Sequence, residues 1–403
     1  MEHFGDTKVA FARLNNYELR RAYFLFKSLQ VPVVFKWTKA IVKFCFKFRL
    51  PLSWIVKPTV FKQFCGGTTI NECIPIAHKL QKYNVKSILD FSAEDASNDL
   101  IIGDTMNEVL RSIEIAGKDG NIPFTVFKPT ALCPEHVLEA MSAGDVKDEH
   151  IIKEADKFWN RVDTLCHKAF DCNVPIMIDA EDYAYQHFVD EVTNEMMAKY
   201  NKSKAIVYNT LQMYRTDRLD FLKQSLDQAH KHGYFLGMKL VRGAYMERER
   251  ARAAQLGYPS PIWPDKEATD KSFNSAVAFC VEHIDRISLF CGTHNEQSCS
   301  YLAKLMKEKA LSNNHAGIYF SQLYGMSDNI SFNLALQGYN IAKYIPYGPV
   351  RKVLPYLIRR AEENSSVAGQ TDRELKLIRS ELNRRKARHS SHLENMTVSY
   401  GTK

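Results

Sequence analysis

From residue 81 to 364, short apolar runs alternate with longer amphipathic ones. The short runs are KSILDF (86–91), FTVFK (124–128), PIMID (175–179), AIVYN (205–209), YFLGMKLV (234–241), ISLFCG (287–292), GIYFSQ (317–322) and NIAKYI (340–345). All are rich in Ile, Val, Phe and Leu and too short for helices, so they predict strands. Helical periodicity fills the gaps, including 150–170, 182–200, 213–231, 270–284, 295–310 and 327–337, with a last helix at 350–363. Strands alternating with helices imply parallel βα units. Eight such units are what a closed (β/α)8 barrel requires. On counting alone, a doubly wound open sheet stays a rival.

The flanks read differently. Residues 1–80 show no strand rhythm and predict a helical arm, 81–370 the barrel, and 371–403 a polar tail that starts helical and ends disordered. No repeat of solenoid period occurs. The 403 residues are 45% hydrophobic and 25% charged, which suits a soluble globular protein and excludes a wholly disordered or collagen-like chain. The net charge of +8 is concentrated: eleven Lys and Arg face three Asp and Glu in residues 1–60, so the remainder is neutral. Within that head Lys36, Lys39, Lys43 and Lys47 recur at helical spacing among Val, Phe, Trp and Ile. Such a stripe is either a helix packed on the barrel with its lysines in water or an amphipathic helix lying on an anionic membrane. Nine cysteines are scattered without a CxxC pair or zinc-type spacing, which reads as reduced thiols and no metal site. The first residues lack a secretory signal, and no stretch reaches the ~20 mostly apolar residues of a spanning helix.

In a parallel barrel the loops after the strands converge on the active site. The polar residues there are Lys128 after strand two, Asp179 after strand three and Asn209 after strand four. Strand five carries Lys239 and runs into Arg242-Gly243-Ala244-Tyr245; strand six ends in Thr293-His294-Asn295, strand seven in Gln322-Leu323-Tyr324, and strand eight carries Tyr344. A lone Lys or His after a strand is usually a solvated loop residue. Seven consecutive strand ends with functional side chains are harder to dismiss. The last helix adds Arg359 and Arg360, adjacent and therefore about 100° apart. They are either a solvated face paired with Glu363 or two guanidinium forks on one small carboxylate.

The stretches FTVFKPTAL, MIDAED, VYNTLQ, GMKLVRGAYMERERARAAQLGYPSPI, CGTHN, QLYGMSD and YIPYGPVRKVLPYLIRRAEEN resemble, in order, the proline dehydrogenase family. The resemblance implies a distorted (β/α)8 barrel with an N-terminal helical arm and a C-terminal helix over its mouth. The implied activity is oxidation of L-proline to Δ1-pyrroline-5-carboxylate by hydride transfer to FAD, with electrons passed to a quinone. Carried over by position, Lys128, Arg359 and Arg360 hold the substrate carboxylate, and Asp179 balances that cationic cluster. Tyr344 packs over the substrate ring, with Leu323 and Tyr356 as walls. Asp179, Lys239 and Tyr344 form the implied catalytic group. Ala180, Asn209, Lys239, Arg242, Gly243, Ala244, Tyr245, Thr293 and His294 meet FAD. Lys239 and Asn209 stand where bacterial bifunctional members carry Arg and Gln, which points to the eukaryotic-type branch.

No GxGxxG follows a predicted strand, so the FAD phosphates fall to loop residues such as Arg242, His294 and Lys266. The tyrosine ring at 344 favours unsubstituted proline, since a 4-hydroxyl would crowd it. Hydroxyproline oxidation on the same scaffold and a non-catalytic flavin- or anion-binding barrel are the rival functions. Expected partners are L-proline, a quinone, a separate pyrroline-5-carboxylate dehydrogenase in transient contact and an anionic membrane surface. Nucleic acid is not expected, because the body is neutral and carries no recognition motif. The absence of a transit peptide points to the cytoplasm with peripheral attachment to the inner membrane, or to the mitochondrial matrix side in a eukaryote.

Overall fold

The computed structural model describes residues 4–30, 56–92, 96, 98–366 and 370–400. The Lys36, Lys39, Lys43 and Lys47 stripe lies outside the described residues. Eight parallel strands pair in chain order: β1 (Val85–Phe91), β2 (Phe124–Phe127), β3 (Ile176–Ile178), β4 (Val207–Gln212), β5 (Leu236–Val241), β6 (Ile287–Gly292), β7 (Ile318–Leu323) and β8 (Ile341–Tyr347). The last closes on the first, from Val85 opposite Ile341 to Phe91 opposite Tyr347. That closure decides for the barrel and against the open sheet.

Side chains alternate across a strand, so each strand feeds two cores. Leu89, Ile176, Ile178, Val207, Met238 and Leu289 belong to the large core between barrel and helices. Their neighbours Ile88, Phe124, Met177, Tyr208, Phe290 and Ala342 form a separate core inside the barrel. There the Phe124 ring meets Tyr208, Phe290 and Tyr319 edge-on, with centroids 5.4, 5.1 and 4.9 Å away. Continuous apolar runs reflect burial of both faces.

The helices of the first half of the barrel are α4 (Asp99–Lys118), α5 (Glu135–Ala143), α6 (Glu149–Asp171) and α7 (Tyr183–Tyr200). Those of the second half are α8 (Arg218–His232), α9 (Met246–Leu256), α10 (Lys266–Glu282), α11 (Glu296–Glu308) and α12 (Asp328–Leu336). Before the barrel come α1 (Thr7–Ala10), α2 (Asn16–Leu29) and α3 (Ile70–Gln81); after it come α13 (Val350–Ser366) and α14 (Gln370–Tyr400). Local chemistry explains several boundaries. Asn15 and Glu18 form a reciprocal capping box at the start of α2. Gly233, at φ +66°, ends α8 in the left-handed conformation. Asn295 caps α11 by accepting from the Ser298 amide at 3.1 Å, which accounts for one polar residue of the Thr-His-Asn run.

A third apolar cluster joins the two ends of the chain. Phe11, Leu19 and Phe26 of the arm pack with Leu354 and Leu357 of α13, with Leu375 and Ile378 of α14, and with Met326 after β7. It also touches Leu323, which in turn touches the core inside the barrel. Arm and tail therefore cover the end of the barrel where the strand-end side chains collect.

Candidate active site

Inside the barrel, the inward positions change character along each strand. Ile88 is followed two residues on by Asp90, Val126 by Lys128, Met177 by Asp179, Gly237 by Lys239 and Ala342 by Tyr344. Each step of two keeps the side chain on the same face. An apolar plug at one end thus gives way to a layer of charge at the C-terminal mouth. These groups are largely removed from water: Asp90 is 1%, Lys128 8%, Lys239 6% and Tyr344 7% exposed. Burial on that scale is tolerated only when each charge is paired.

The pairing differs from the expectation. The family resemblance gives Asp179 the task of balancing Lys128, Arg359 and Arg360. Its direct partners are instead Lys239, 2.6 Å from Oδ1, and the Tyr344 hydroxyl, which donates to Oδ2 at 2.6 Å. Lys128 donates to both oxygens of Asp90 at 3.1 Å, and the Ser92 hydroxyl braces the same carboxylate at 2.9 Å. The reason is neighbourhood: β1 lies beside β2 in the closed barrel, and the register Leu89 opposite Thr125 leaves Asp90 one inward step short of Lys128, within reach of its long side chain. Asp90 escaped the sequence reading, although it closes the first apolar run just as Lys128 closes the second. Lys239 also lies 4.6 Å from the Tyr344 ring centroid, a cation–π contact.

Burial pushes the Asp179 carboxyl up, but Lys239, Lys128 and the bonds from Lys239 and Tyr344 outweigh it and hold it below the ordinary range. Burial, and then the Asp179 and Asp90 charges, push the Tyr344 phenol well up. Asp179 is therefore a stable anion and Tyr344 a stable hydrogen-bond donor at neutral pH. Neither is tuned as a base for an amine proton.

Helix α13 crosses this mouth. Arg359 lies 5.8 Å from the Tyr245 ring, and Arg360 lies 5.1 Å from that of Tyr356. Arg360 is 8% exposed, so the solvated-face alternative does not describe it. Its field reaches His294. Burial first, then Lys343, Arg360 and Arg242, depress that imidazole to about 3. His294 is consequently neutral.

The loop after β5 is built to expose backbone. Gly243 adopts φ +134°, and a Cβ there would come 2.5 Å from the Tyr214 ring. Gly243 and Ala244 are exposed, while Tyr245 is half-buried. Gln212 ties this loop down by accepting from the Ala244 amide at 3.2 Å and donating to the Glu181 carbonyl at 2.5 Å. Glu181 accepts from the amide and hydroxyl of Thr130 at 2.9 and 2.7 Å, securing the turn after Lys128. Arg242 meets Asp270 at 2.7 Å, Thr293 at 2.6 Å and Ser298 at 2.9 Å, and Lys266 pairs with the same Asp270. Gln212 and Glu181 lie in VYNTLQ and MIDAED but beyond the ends of the apolar runs, so the strand-end rule passes over them. Ala180 follows Asp179 half-buried at the rim.

Asn209 is placed apart from the mouth. Strand β4 runs on to Gln212, so Asn209 lies within the strand rather than at its end. Its amide nitrogen donates to Asp190 of α7 at 3.0 Å, beside the Arg218 guanidinium at 2.5 Å from the same carboxylate. Asn209 Oδ1 is buried and has no hydrogen-bond donor among the described residues. Also among the described residues, no group of three His, Cys, Asp or Glu is placed to hold a metal, and no helix is long and apolar enough to cross a membrane.

A closed parallel barrel with paired buried charges at its C-terminal mouth is a (β/α)8 barrel with a candidate active site where that fold places one. Residues 73–373 match the profile of proline dehydrogenase, and the chain belongs to the proline dehydrogenase family. Proline dehydrogenase 1, mitochondrial, of Dictyostelium discoideum is 35% identical over 83% of this chain and 66% of its own length. The human protein of that name is 39% identical over 62% of this chain and 42% of its own. Hydroxyproline dehydrogenase of Xenopus laevis is 30% identical over 95% and 90% respectively. Among solved structures, proline utilization A from Bdellovibrio bacteriovorus superposes with a TM-score of 0.69 at 22% identity, covering 77% of this chain and 33% of that one, and so shares the fold. The chain thus spans just under two thirds of the Dictyostelium protein and less than half of the human one.

Proposed function

We propose that the chain oxidises L-proline to Δ1-pyrroline-5-carboxylate with FAD as cofactor and a quinone as electron acceptor. The observation that carries this reading is the charge layer at the barrel mouth, with Lys128 held by Asp90 and Lys239 and Tyr344 held by Asp179. Family membership supports it. One feature fits a flavin. Arg242 and Lys266 share a single carboxylate, Asp270, which leaves positive charge for a pyrophosphate. Ala180, Gly243, Ala244, Tyr245, Thr293 and His294 would complete that site.

Bound FAD would supply a hydride acceptor for the C5 hydrogen of proline, while the ring nitrogen's lone pair forms the imine. The chain's own residues supply position and field. Lys128, Arg359 and Arg360 would grip the carboxylate, the chief handle on so small a substrate. Tyr344, tied through its hydroxyl to Asp179, would present its ring to the substrate, with Leu323 and Tyr356 as walls. A phenol so fixed leaves no room to swing away from a 4-hydroxyl, which favours proline over hydroxyproline. Asp179 would keep Lys239 and Tyr344 oriented rather than accept a proton.

Anaerobic addition of L-proline to the purified yellow protein tests this directly. Loss of the oxidised flavin band is expected, with 4-hydroxyproline much slower. Persistence of the band with proline rejects the reading, and faster bleaching by hydroxyproline reassigns the substrate. Transient contact with a pyrroline-5-carboxylate dehydrogenase and attachment of the basic head to an anionic membrane belong to the same proposal. Sedimentation with anionic vesicles checks the second.

A further inference from the structure

The turn between β7 and α12 is held from three directions by residues remote in sequence. Lys343, fully buried on β8, donates to the Met326 carbonyl at 2.5 Å and the Leu323 carbonyl at 3.4 Å, and pairs with Asp328 at 2.9 Å. Arg13, from the arm, meets Asp328 Oδ2 through Nη2 at 2.7 Å and Nε at 3.1 Å. Glu374 of α14, 6% exposed, accepts from the Ser327 amide at 2.5 Å. Two buried cations thus face two buried carboxyls around the turn 324–327 and the residues that flank it.

What the clamp holds is unusual. Ser327 sits at φ +50°, ψ +41°, a left-handed conformation that costs a residue with a Cβ and persists only where its surroundings impose it. Its hydroxyl lies 2.9 Å from His294 Nδ1. The Leu323 amide donates to His294 Nε2 at 3.4 Å, so Nε2 must accept and the neutral ring carries its proton on Nδ1, donating to Ser327. His294 is thereby fixed in tautomer by the Leu323 amide and in orientation by one strained serine, and that serine is held by the Glu374 carboxyl from the far end of the chain.

We propose that Glu374 is a positioning residue for the flavin-side wall of the active site: by holding Ser327 left-handed it aims His294 so that Nε2 meets the Leu323 amide, which in turn fixes the tautomer. This inference rests on the assignment of His294 to the cofactor site. It makes the C-terminal helix part of the enzyme's working site, and it separates two roles for a buried carboxyl, placing an acceptor atom and balancing charge.

Conservative variants of the full-length protein distinguish them. Glu374→Gln keeps an acceptor oxygen at the same reach and loses the charge. Glu374→Asp keeps the charge and withdraws the oxygen by one methylene. Positioning predicts that Glu374→Gln resembles the native protein, whereas Glu374→Asp and Glu374→Ala release flavin about tenfold faster. The same two variants should shift the His294 15N signals from a single Nδ1–H tautomer toward a mixture, and Ser327→Ala should do likewise without adding to Glu374→Ala. The opposite order, with Glu374→Asp native-like and Glu374→Gln impaired, overturns the proposal in favour of charge balance. Unchanged His294 signals in Glu374→Ala and Glu374→Asp overturn it outright. Should Glu374→Ala fail to fold, the Gln and Asp pair still decides. A native protein that purifies without flavin refutes the cofactor reading, and the 15N signals of its variants still decide the role of Glu374.

Discussion

Replacing Asp90 by asparagine removes the counter-charge of Lys128 at nearly constant shape. Both Asp90 oxygens lie 3.1 Å from Lys128 Nζ, and the two side chains are 1% and 9% exposed, so water cannot take the lost partner's place. Breaking a buried ion pair from one side costs about 3–5 kcal/mol. Asp179 also attracts Lys128, and the asparagine oxygen still accepts one hydrogen bond. Both soften the loss, which places Asp90→Asn near the lower end, at about 3 kcal/mol. Urea denaturation at pH 7 measures it. Adding cyclopentanecarboxylate, which has the ring and carboxylate of proline but no amine to oxidise, supplies a replacement anion where Lys128 meets the substrate. The gap between native protein and variant should then narrow by about 1 kcal/mol or more through preferential binding to the folded state. A gap that ignores the ligand refutes the carboxylate role of Lys128. No gap at all refutes the buried-pair argument.

Two further outcomes are expected. Burial raises the Glu249 carboxyl from 4.5 to about 7, despite the Tyr214 hydroxyl donating to it at 2.6 Å. The folded state therefore holds that proton longer than the unfolded chain, and stability from this group falls as pH rises from about 4.5 to 7, by up to about 3 kcal/mol. Glu249→Gln should match the native protein in urea at pH 4.5 and exceed it at pH 8; an equal difference at both pH values would sink the argument. Arg360→Met should raise the proline KM by about ten- to a hundredfold, the loss of one charge-assisted bond of about 1.5–3 kcal/mol. A KM that does not move removes Arg360 from the carboxylate site.

The parts of the structure legible in the sequence are those set by local pattern. The eight apolar runs all became strands, because strands buried on both faces are continuous in Val, Ile, Leu and Phe. Helix α8 starts at Arg218 rather than at 213, since residues 213–216 form the turn that carries Tyr214 under Gly243. Lys128, Asp179, Lys239 and Tyr344 were legible as strand-end polar residues, and they do share the mouth. Asn209 shows the limit of that rule. With β4 three residues longer than the apolar run, it moves off the strand end, and an odd step in a strand changes the face.

What the sequence determined by itself was therefore the alternation of strands and helices and the residue types available at the barrel mouth, because both follow from side-chain period and from where apolar runs stop. Tertiary structure alone decided the closure of β8 on β1, the pairing of Lys128 with Asp90 and of Lys239 with Asp179, and the clamp in which Arg13 and Glu374 reach residues 327 and 328. Partners so distant along the chain leave no periodic trace. Which cation meets which carboxylate depends on strand neighbourhood and register, and those exist only once the barrel has closed.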